Sequence, residues 1–376
     1  MLDDVAAAGG DTGEALQAIG EVSAGDAQGW YRAWLAAGDR AVAVASNTHA
    51  PLEQGHALLR AHTYYRTAEF FLSPQDPRRP ETWKKNVDAF YRGLDVLGVT
   101  YERMTIPYGA HHLNAVYYPG PVGADRRPLL VVVTGYDGTM EELYLSVVAA
   151  ALQHGYSVLT YEGPGQGSVI REQGLTLEAN WEKPNGAVLD AFLASHGKPV
   201  KIVLLGESLG GYLAPRAAAF DPRIDGVVAF DVWYDGYAVA TRNVPAFAFW
   251  LRQHGHMGIL NFLSSHLADP GSTWATQNGE WVFGVKDAFA VLDAFKDYNL
   301  ETAAPHIQGD VLLLGGADDH FVPNDQMDAM RKSLVHAHSV KAIMFDRASG
   351  GSLHCQIGAP SLWHGALFDW LSATYP

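Results

Sequence analysis

Two different periods of apolar residues divide the chain. From Gln28 the spacing is helical. Trp30 and Trp34 stand one turn apart, and Leu58, Ala61, Tyr65, Ala68 and Leu72 step by three and four along one face. Ser73-Pro74 and the stretch from Pro77 to Pro80 interrupt the pattern. A further helix follows, with Trp83, Val87, Phe90, Leu94 and Leu97 on its apolar face and Gly98 as its stop. Residues 1–25 are rich in Gly, Ala and Asp and read as a loose arm or a short helix. The first hundred residues are expected to be all-helical.

After residue 100 the period changes. Stretches 101–107 and 113–118 read as two strands around the turn Tyr108-Gly109-Ala110. Apolar runs over 129–134, 156–161, 200–205, 226–230, 311–314 and 340–345 follow. Helical patterns over 141–153, 186–196, 212–220, 324–335 and 362–373 alternate with them. Buried strands separated by helices predict a mostly parallel sheet covered on both faces, with the opening hairpin as its antiparallel edge. One segment breaks the alternation. Residues 233–299 show no clear strand but many aromatics, among them Tyr237, Phe249, Trp250, Phe262, Trp274 and Trp281, and read as a helical insertion after the sixth strand. The expected organisation is a helical domain over 1–100, a core over 101–232 and 300–376, and a helical lid over 233–299.

The chemistry is expected at the end of the 200–205 run. It breaks at Gly206-Glu207-Ser208-Leu209-Gly210-Gly211 and continues into an alanine-rich helix. A serine on a sharp strand-to-helix turn needs neighbours without side chains, because the chain doubles back tightly. Such a serine needs a base and a group that orients the base. After the 311–314 strand comes Gly315-Gly316-Ala317-Asp318-Asp319-His320-Phe321-Val322-Pro323. Asp319, four residues before Pro323, is the preferred acid and Asp318 the alternative. After the 340–345 strand, His354 is the only histidine of a glycine-rich loop. An oxyanion hole requires two backbone donors. The amide of Leu209 follows the nucleophile directly, and Tyr136, in Thr134-Gly135-Tyr136-Asp137-Gly138, is the candidate for the other.

With Glu141-Glu142 and the stretch Tyr161-Glu162-Gly163-Pro164-Gly165-Gln166-Gly167, these motifs resemble the α/β-hydrolase superfamily. More narrowly, the chain is similar to the branch holding 2,6-dihydroxypseudooxynicotine hydrolase, the fungal polyketide-shortening hydrolases and esterases of the fermentation-respiration switch type. The resemblance spans about residues 28–376. It implies an α/β-hydrolase fold with an eight-stranded sheet, an N-terminal helical domain, a helical cap after the sixth strand, and secondary metabolism as the setting. Some members of the branch cleave carbon–carbon bonds beside a carbonyl with an extra acidic residue near the cap. Asp231 and Asp235, just after the sixth strand, are the nearest counterparts, and Asp137 is a further candidate auxiliary or pocket acid. By analogy the helical arm is compatible with a homodimer.

Composition narrows the partners. The chain has 26 Lys+Arg against 41 Asp+Glu, a formal charge of -15, which argues against nucleic acid and anionic membranes. No apolar run is long enough to span a bilayer, and the acidic start Met1-Leu2-Asp3-Asp4 lacks an apolar leader. One cysteine, Cys355, excludes an internal disulfide and fits a reducing cytoplasm. His111-His112 and the pair His254 and His256 have no carboxylate or cysteine pattern beside them, so no metal and no cofactor are expected. The glycine-rich stretch 163–167 lacks the lysine of a phosphate loop and reads as a tight turn beside the site. The expected activity is a serine hydrolase acting on an ester, thioester or β-dicarbonyl of a medium-sized apolar or aromatic small molecule. The insertion and the arm are expected to cover the sheet's C-terminal edge. A cyclase or acyltransferase with the same three residues, and a non-catalytic binding protein on the same fold, are the alternatives.

Overall fold

The computed structural model describes residues 2–256, 258–259 and 270–376. Phe262, counted above among the insertion's aromatics, lies outside them. Eight strands form one sheet: β1 (Glu102–Tyr108), β2 (His111–Tyr118), β3 (Leu129–Val133), β4 (Val158–Glu162), β5 (Ile202–Glu207), β6 (Gly226–Phe230), β7 (Asp310–Gly316) and β8 (Ser339–Phe345). Their order across the sheet is β1-β2-β4-β3-β5-β6-β7-β8. β1 and β2 pair antiparallel, β2 meets β4 antiparallel, and every later pairing is parallel. The expected antiparallel edge and mostly parallel sheet are both present. All residues of β3, β4, β6 and β7 are buried, as strands covered on both faces must be.

Strand limits differ from the sequence reading by one or two residues at most ends, and the helical segments differ more. The pattern over 141–153 begins as a π-helical turn, Tyr144–Val148, before the regular helix Ala149–Gln153. The short helix Gly167–Gln173 has no counterpart in the sequence reading, because seven residues are too few to display a period. Residues before 25 form two helices, Leu2–Ala7 and Thr12–Gly20.

The described residues of 1–99 and 240–293 make one compact unit, and those of 100–239 and 294–376 the other. In the first, helices Ala27–Asn47, Pro51–Glu69 and Arg79–Leu97 enclose Trp34, Ala37, Ala41, Tyr64, Tyr65 and Ala68. The insertion joins this unit through aromatic contacts. Trp274 stacks on Phe70 with centroids 4.6 Å apart, and the Arg79 guanidinium lies 4.4 Å from the Trp281 ring centre. Buried Glu69 lies 3.5 Å from Arg66 and 3.6 Å from Arg79, so one carboxylate faces two cations. Such a cluster adds little net stability over an apolar one, but removing a single member strands a buried charge.

Phe90 is fully buried against His62 and Tyr91, whereas Leu52 is 58% exposed. Phe90→Ala is expected to cost about 3–5 kcal/mol through lost burial and the cavity left behind. Leu52→Ala is expected to stay within about 0.5 kcal/mol of the parent. Urea unfolding of the two variants checks the contrast.

Candidate active site

The parallel order brings five loops to one edge. β3, β5, β6, β7 and β8 are successive neighbours, and the C-terminal ends of these strands lead to Gly135, Ser208, Asp231, Asp319 and His354 respectively. β5 ends at Glu207 and the next helix starts at Gly210, leaving two residues for the reversal. Ser208 absorbs it with a left-handed backbone, φ 60°. The turn is held by its own peptides. Ser208 N–H donates to the Phe230 carbonyl, and the Ser208 carbonyl accepts from Gly211 N–H at 2.8 Å. Gly211 has no alternative here, since a Cβ would collide with the Asp231 carbonyl oxygen.

His354 Nε2 lies 2.9 Å from Ser208 Oγ, and His354 Nδ1 lies 2.7 Å from Asp319 Oδ2. The other Asp319 oxygen accepts the N–H groups of Phe321 at 2.7 Å and Val322 at 2.9 Å. Burial works against the Asp319 charge, but the hydrogen bond and charge of His354, with hydrogen bonds from Asp231 and Val322, outweigh it and bring the carboxyl down to about 2. Asp318 points elsewhere. It is held by Arg347, with both contacts at 3.1 Å, and makes no contact with the imidazole. Between the two aspartates left open by the sequence, it is Asp319 that meets His354. The exposed Phe321 ring stands edge-on to His354, centroids 5.1 Å apart.

Asp231 sits on the same imidazole edge as Asp319. Its Oδ2 is 3.1 Å from His354 Nδ1 and accepts Cys355 N–H at 2.8 Å. Burial pushes its carboxyl up. For His354, burial pulls the imidazole down while Cys355 and the two carboxylates push it up. The net lies well above the ordinary value. Burial raises the Cys355 thiol to about 12, so it stays neutral. Asp235 has another task. Its Oδ1 accepts Ala238 N–H at 3.1 Å and caps the helix Gly236–Thr241. Asp137 is half-buried on the Gly135 loop. Among the described residues, Asp231, His354 and Cys355 offer metal-type donor atoms within 4.8 Å of one another, but His354 Nδ1 and Asp231 Oδ2 are already engaged in the hydrogen bonds above.

Gly135 packs so closely on the elbow that a Cβ there would lie 2.7 Å from the Leu209 nitrogen. Its loop is clamped by a residue to which the sequence reading assigned no role. Buried Gln166 donates through Nε2 to the carbonyls of Thr134 at 2.8 Å and Gly135 at 2.9 Å, and its Oε1 accepts Gly163 N–H at 3.0 Å. The glycine-rich stretch is thus a turn that presents Gln166 to the loop after β3. Thr139 and Glu142 finish that loop with a reciprocal capping box: Thr139 N–H to Glu142 Oε2 at 2.9 Å and Glu142 N–H to Thr139 Oγ1 at 3.4 Å. Tyr136 continues into an aromatic row, with Phe295 at 6.0 Å and Trp233 at 5.9 Å from Phe295. The buried Trp233 indole N–H has no acceptor among the described residues. Glu207, beside Ser208, accepts Ser146 Oγ–H at 2.9 Å, and crowding of its carboxyl by protein raises it to about 7. A dipeptide spacing gives no signal for Gln166 or Glu207, because their partners lie on other loops.

Comparison with known proteins follows the same lines. The model of the alpha/beta hydrolase family matches residues 130–354. Hydrolase acrC of Aspergillus aculeatus is 34% identical, over 100% of this chain and 95% of that protein. The 20-hydroxy-prefusarin hydrolase FUS2 of Gibberella moniliformis is 31% identical, over 100% of this chain and 94% of that protein. Among solved structures, 2,6-dihydroxy-pseudo-oxynicotine hydrolase superposes with a TM-score of 0.76 over 99% of this chain and 95% of that one. At 19% identity that likeness concerns the fold. Relatives and fold both lie in the branch to which the motifs pointed.

Gln166→Ala frees the carbonyls of Thr134 and Gly135 and loosens the Gly135 loop. It is expected to lower kcat about 10–100-fold with KM changed by less than about threefold, because an oxyanion contact, the role expected of this loop from the sequence, acts on the transition state. Steady-state kinetics on any turned-over ester checks the split.

Proposed function

The chain belongs to the alpha/beta hydrolase family, and on that premise we propose that it is a serine hydrolase working through an acyl-enzyme on Ser208. The observation that carries the reading is the continuous hydrogen-bonded line from Ser208 Oγ through His354 to Asp319. In it His354 Nε2 takes the Ser208 proton as Oγ attacks a carbonyl carbon. Asp319 keeps the second imidazole proton on Nδ1 and stabilises the imidazolium. The amides of Leu209 and Tyr136 receive the tetrahedral oxyanion, each such donor supplying about 3–4 kcal/mol of transition-state stabilisation. His354 then returns its proton to the leaving group. Water, activated by the same nitrogen, releases the acyl group and restores Ser208.

The substrate proposed is a medium-sized, largely apolar or aromatic carbonyl compound of polyketide type, whose scissile bond is an ester, a thioester or the carbon–carbon bond of a β-dicarbonyl. Two observations support this. The row Tyr136, Phe295 and Trp233 continues from the proposed oxyanion loop, with an indole donor able to take an oxygen acceptor. The similarity to a 20-hydroxy-prefusarin hydrolase extends over the whole chain. For a β-dicarbonyl the leaving group is an enolate, and the proton it needs comes from His354.

A fluorophosphonate is expected to label the protein once, at Ser208, with labelling abolished in Ser208→Ala and at least about 100-fold slower in His354→Ala. Mass spectrometry on a panel of esters and β-diketones should show an acyl adduct on Ser208 and products heavier by one water. Products without the added water mark a cyclase or transferase. No label, no adduct and no turnover across the panel overturns the catalytic reading.

A further inference from the structure

Resting on that reading, a second carboxylate enters the catalytic apparatus. Asp319 Oδ2 at 2.7 Å and Asp231 Oδ2 at 3.1 Å approach the same nitrogen, His354 Nδ1, from the ends of adjacent strands β7 and β6. A neutral imidazole carries one hydrogen there, so it satisfies one acceptor. The two carboxylates are wholly enclosed with 1% of either side chain exposed. Two full charges so close together in such surroundings repel strongly, and the pair lowers its energy by holding one proton between them.

The hydrogen-bond partners indicate where that proton resides. Asp319 receives two backbone N–H groups as well as His354, which suits a charged carboxylate. Asp231 receives Cys355 N–H on Oδ2, while Oδ1 has only a long 3.4 Å contact to Gln356 Nε2. The buried Gln356 Oε1 has no donor among the described residues, so the amide has an acceptor to spare beside Asp231. The titratable groups facing Asp231 are Asp319, His354, Cys355 and, from the end of β5, Glu207. None of them is a cation that would keep both carboxylates charged, other than the imidazole itself.

We propose that Asp231 and Asp319 form a carboxylate pair on His354 Nδ1 that shares one proton, with Asp231 as the protonated positioning partner. The arrangement has a consequence for the base. Two negative charges at Nδ1 would keep the imidazole protonated near neutral pH and unable to accept the Ser208 proton. One shared proton leaves a single net charge, the condition of an ordinary triad. Asp231 also anchors the turn after His354 through Cys355 N–H, and so aims the ring. Its carboxyl is in place to ionise and serve Nδ1 when Asp319 is lost.

The test compares kcat/KM and pH profiles of Asp231→Asn, Asp319→Asn and the double variant, with circular dichroism as the fold control. In a triad with one acid, replacing it by the amide costs about 10⁴-fold. Here Asp319→Asn is expected to lose no more than about 100-fold, with its acid limb moved up by at least about one pH unit, because buried Asp231 must ionise first. The double variant is expected to fall by about 10⁴-fold, and Asp231→Asn alone by about tenfold. Asp319→Asn as inactive as the double variant overturns the proposal. Infrared difference spectroscopy of the parent against Asp231→Asn reads the protonated carboxyl directly and needs neither the Asp319 variant nor a substrate. A carboxylic acid band present in the parent and lost in the variant supports the pair, and a parent without it overturns the pair. Full activity in Ser208→Ala, by contrast, sinks the serine reading, and the infrared band then decides the carboxylate pair alone.

Discussion

A serine held in the left-handed region, packed against glycines that leave no room for further side chains, is the constraint on which the site depends. Ser208 occupies that conformation between the end of β5 and the helix Gly210–Phe220. The close approach of Gly135 to the Leu209 nitrogen and of Gly211 to the Asp231 carbonyl follows from it. The parallel sheet then does the rest. Because β3, β5, β6, β7 and β8 lie side by side, each delivers its next loop to the same edge.

The strain is confined to where it is used. Among the described residues, the non-glycine positions with positive φ are Ser208, Cys355 and Gln356. Each costs roughly 1–3 kcal/mol and persists only where surrounding contacts over-determine it. Those contacts are visible. Ser208 is fixed by the Phe230 carbonyl and by Gly211 N–H, and Cys355 by the Asp231 carboxyl. The same buried carboxyl therefore stabilises the backbone turn and shapes the electrostatics of the imidazole. Neither effect can be altered without the other, which explains why a costly buried acid stands where an apolar residue would pack more cheaply.

What the sequence discloses and what it hides divide along the same line. Strand positions are legible because the central strands β3, β5, β6 and β7 carry runs of apolar residues. The elbow is legible because its glycines are consecutive with Ser208. The meeting of Asp319 with His354 is legible from the offset to Pro323, even though Asp318 carries the same functional group. Side chains whose partners lie on other loops are not. Asp231 meets Cys355 across 124 positions, and Gln166 reaches Thr134 across 32. Proximity to a motif could nominate Asp231, but only the fold shows that it faces Nδ1, while Asp235, four residues on, turns to cap a helix. The union of the insertion with the first hundred residues is likewise invisible, since it rests on ring contacts such as Phe70 with Trp274.

The segment after β6 separates the proposed catalytic geometry from the insertion that follows it. Asp231 is tied to the turn after His354, and Trp233 to the aromatic row beside the Gly135 loop. Immediately beyond, the chain leaves for the insertion and later returns alongside itself. Asp235 and Asn299 form a bridge, Gly236 N–H donates to the Tyr298 carbonyl at 2.8 Å, and Leu300 N–H donates to the Tyr234 carbonyl at 2.8 Å. Asp235 N–H is further held by Gln326 Oε1 at 2.7 Å. The neck is thereby closed on the core side, independently of what lies between its two ends. Lengthening an unpacked stretch of the excursion costs only a logarithmic loop entropy, about 0.6 kcal/mol for each doubling. Residues beyond the neck can therefore change in number and kind without moving Asp231 or His354, and the geometry at Ser208 stays fixed.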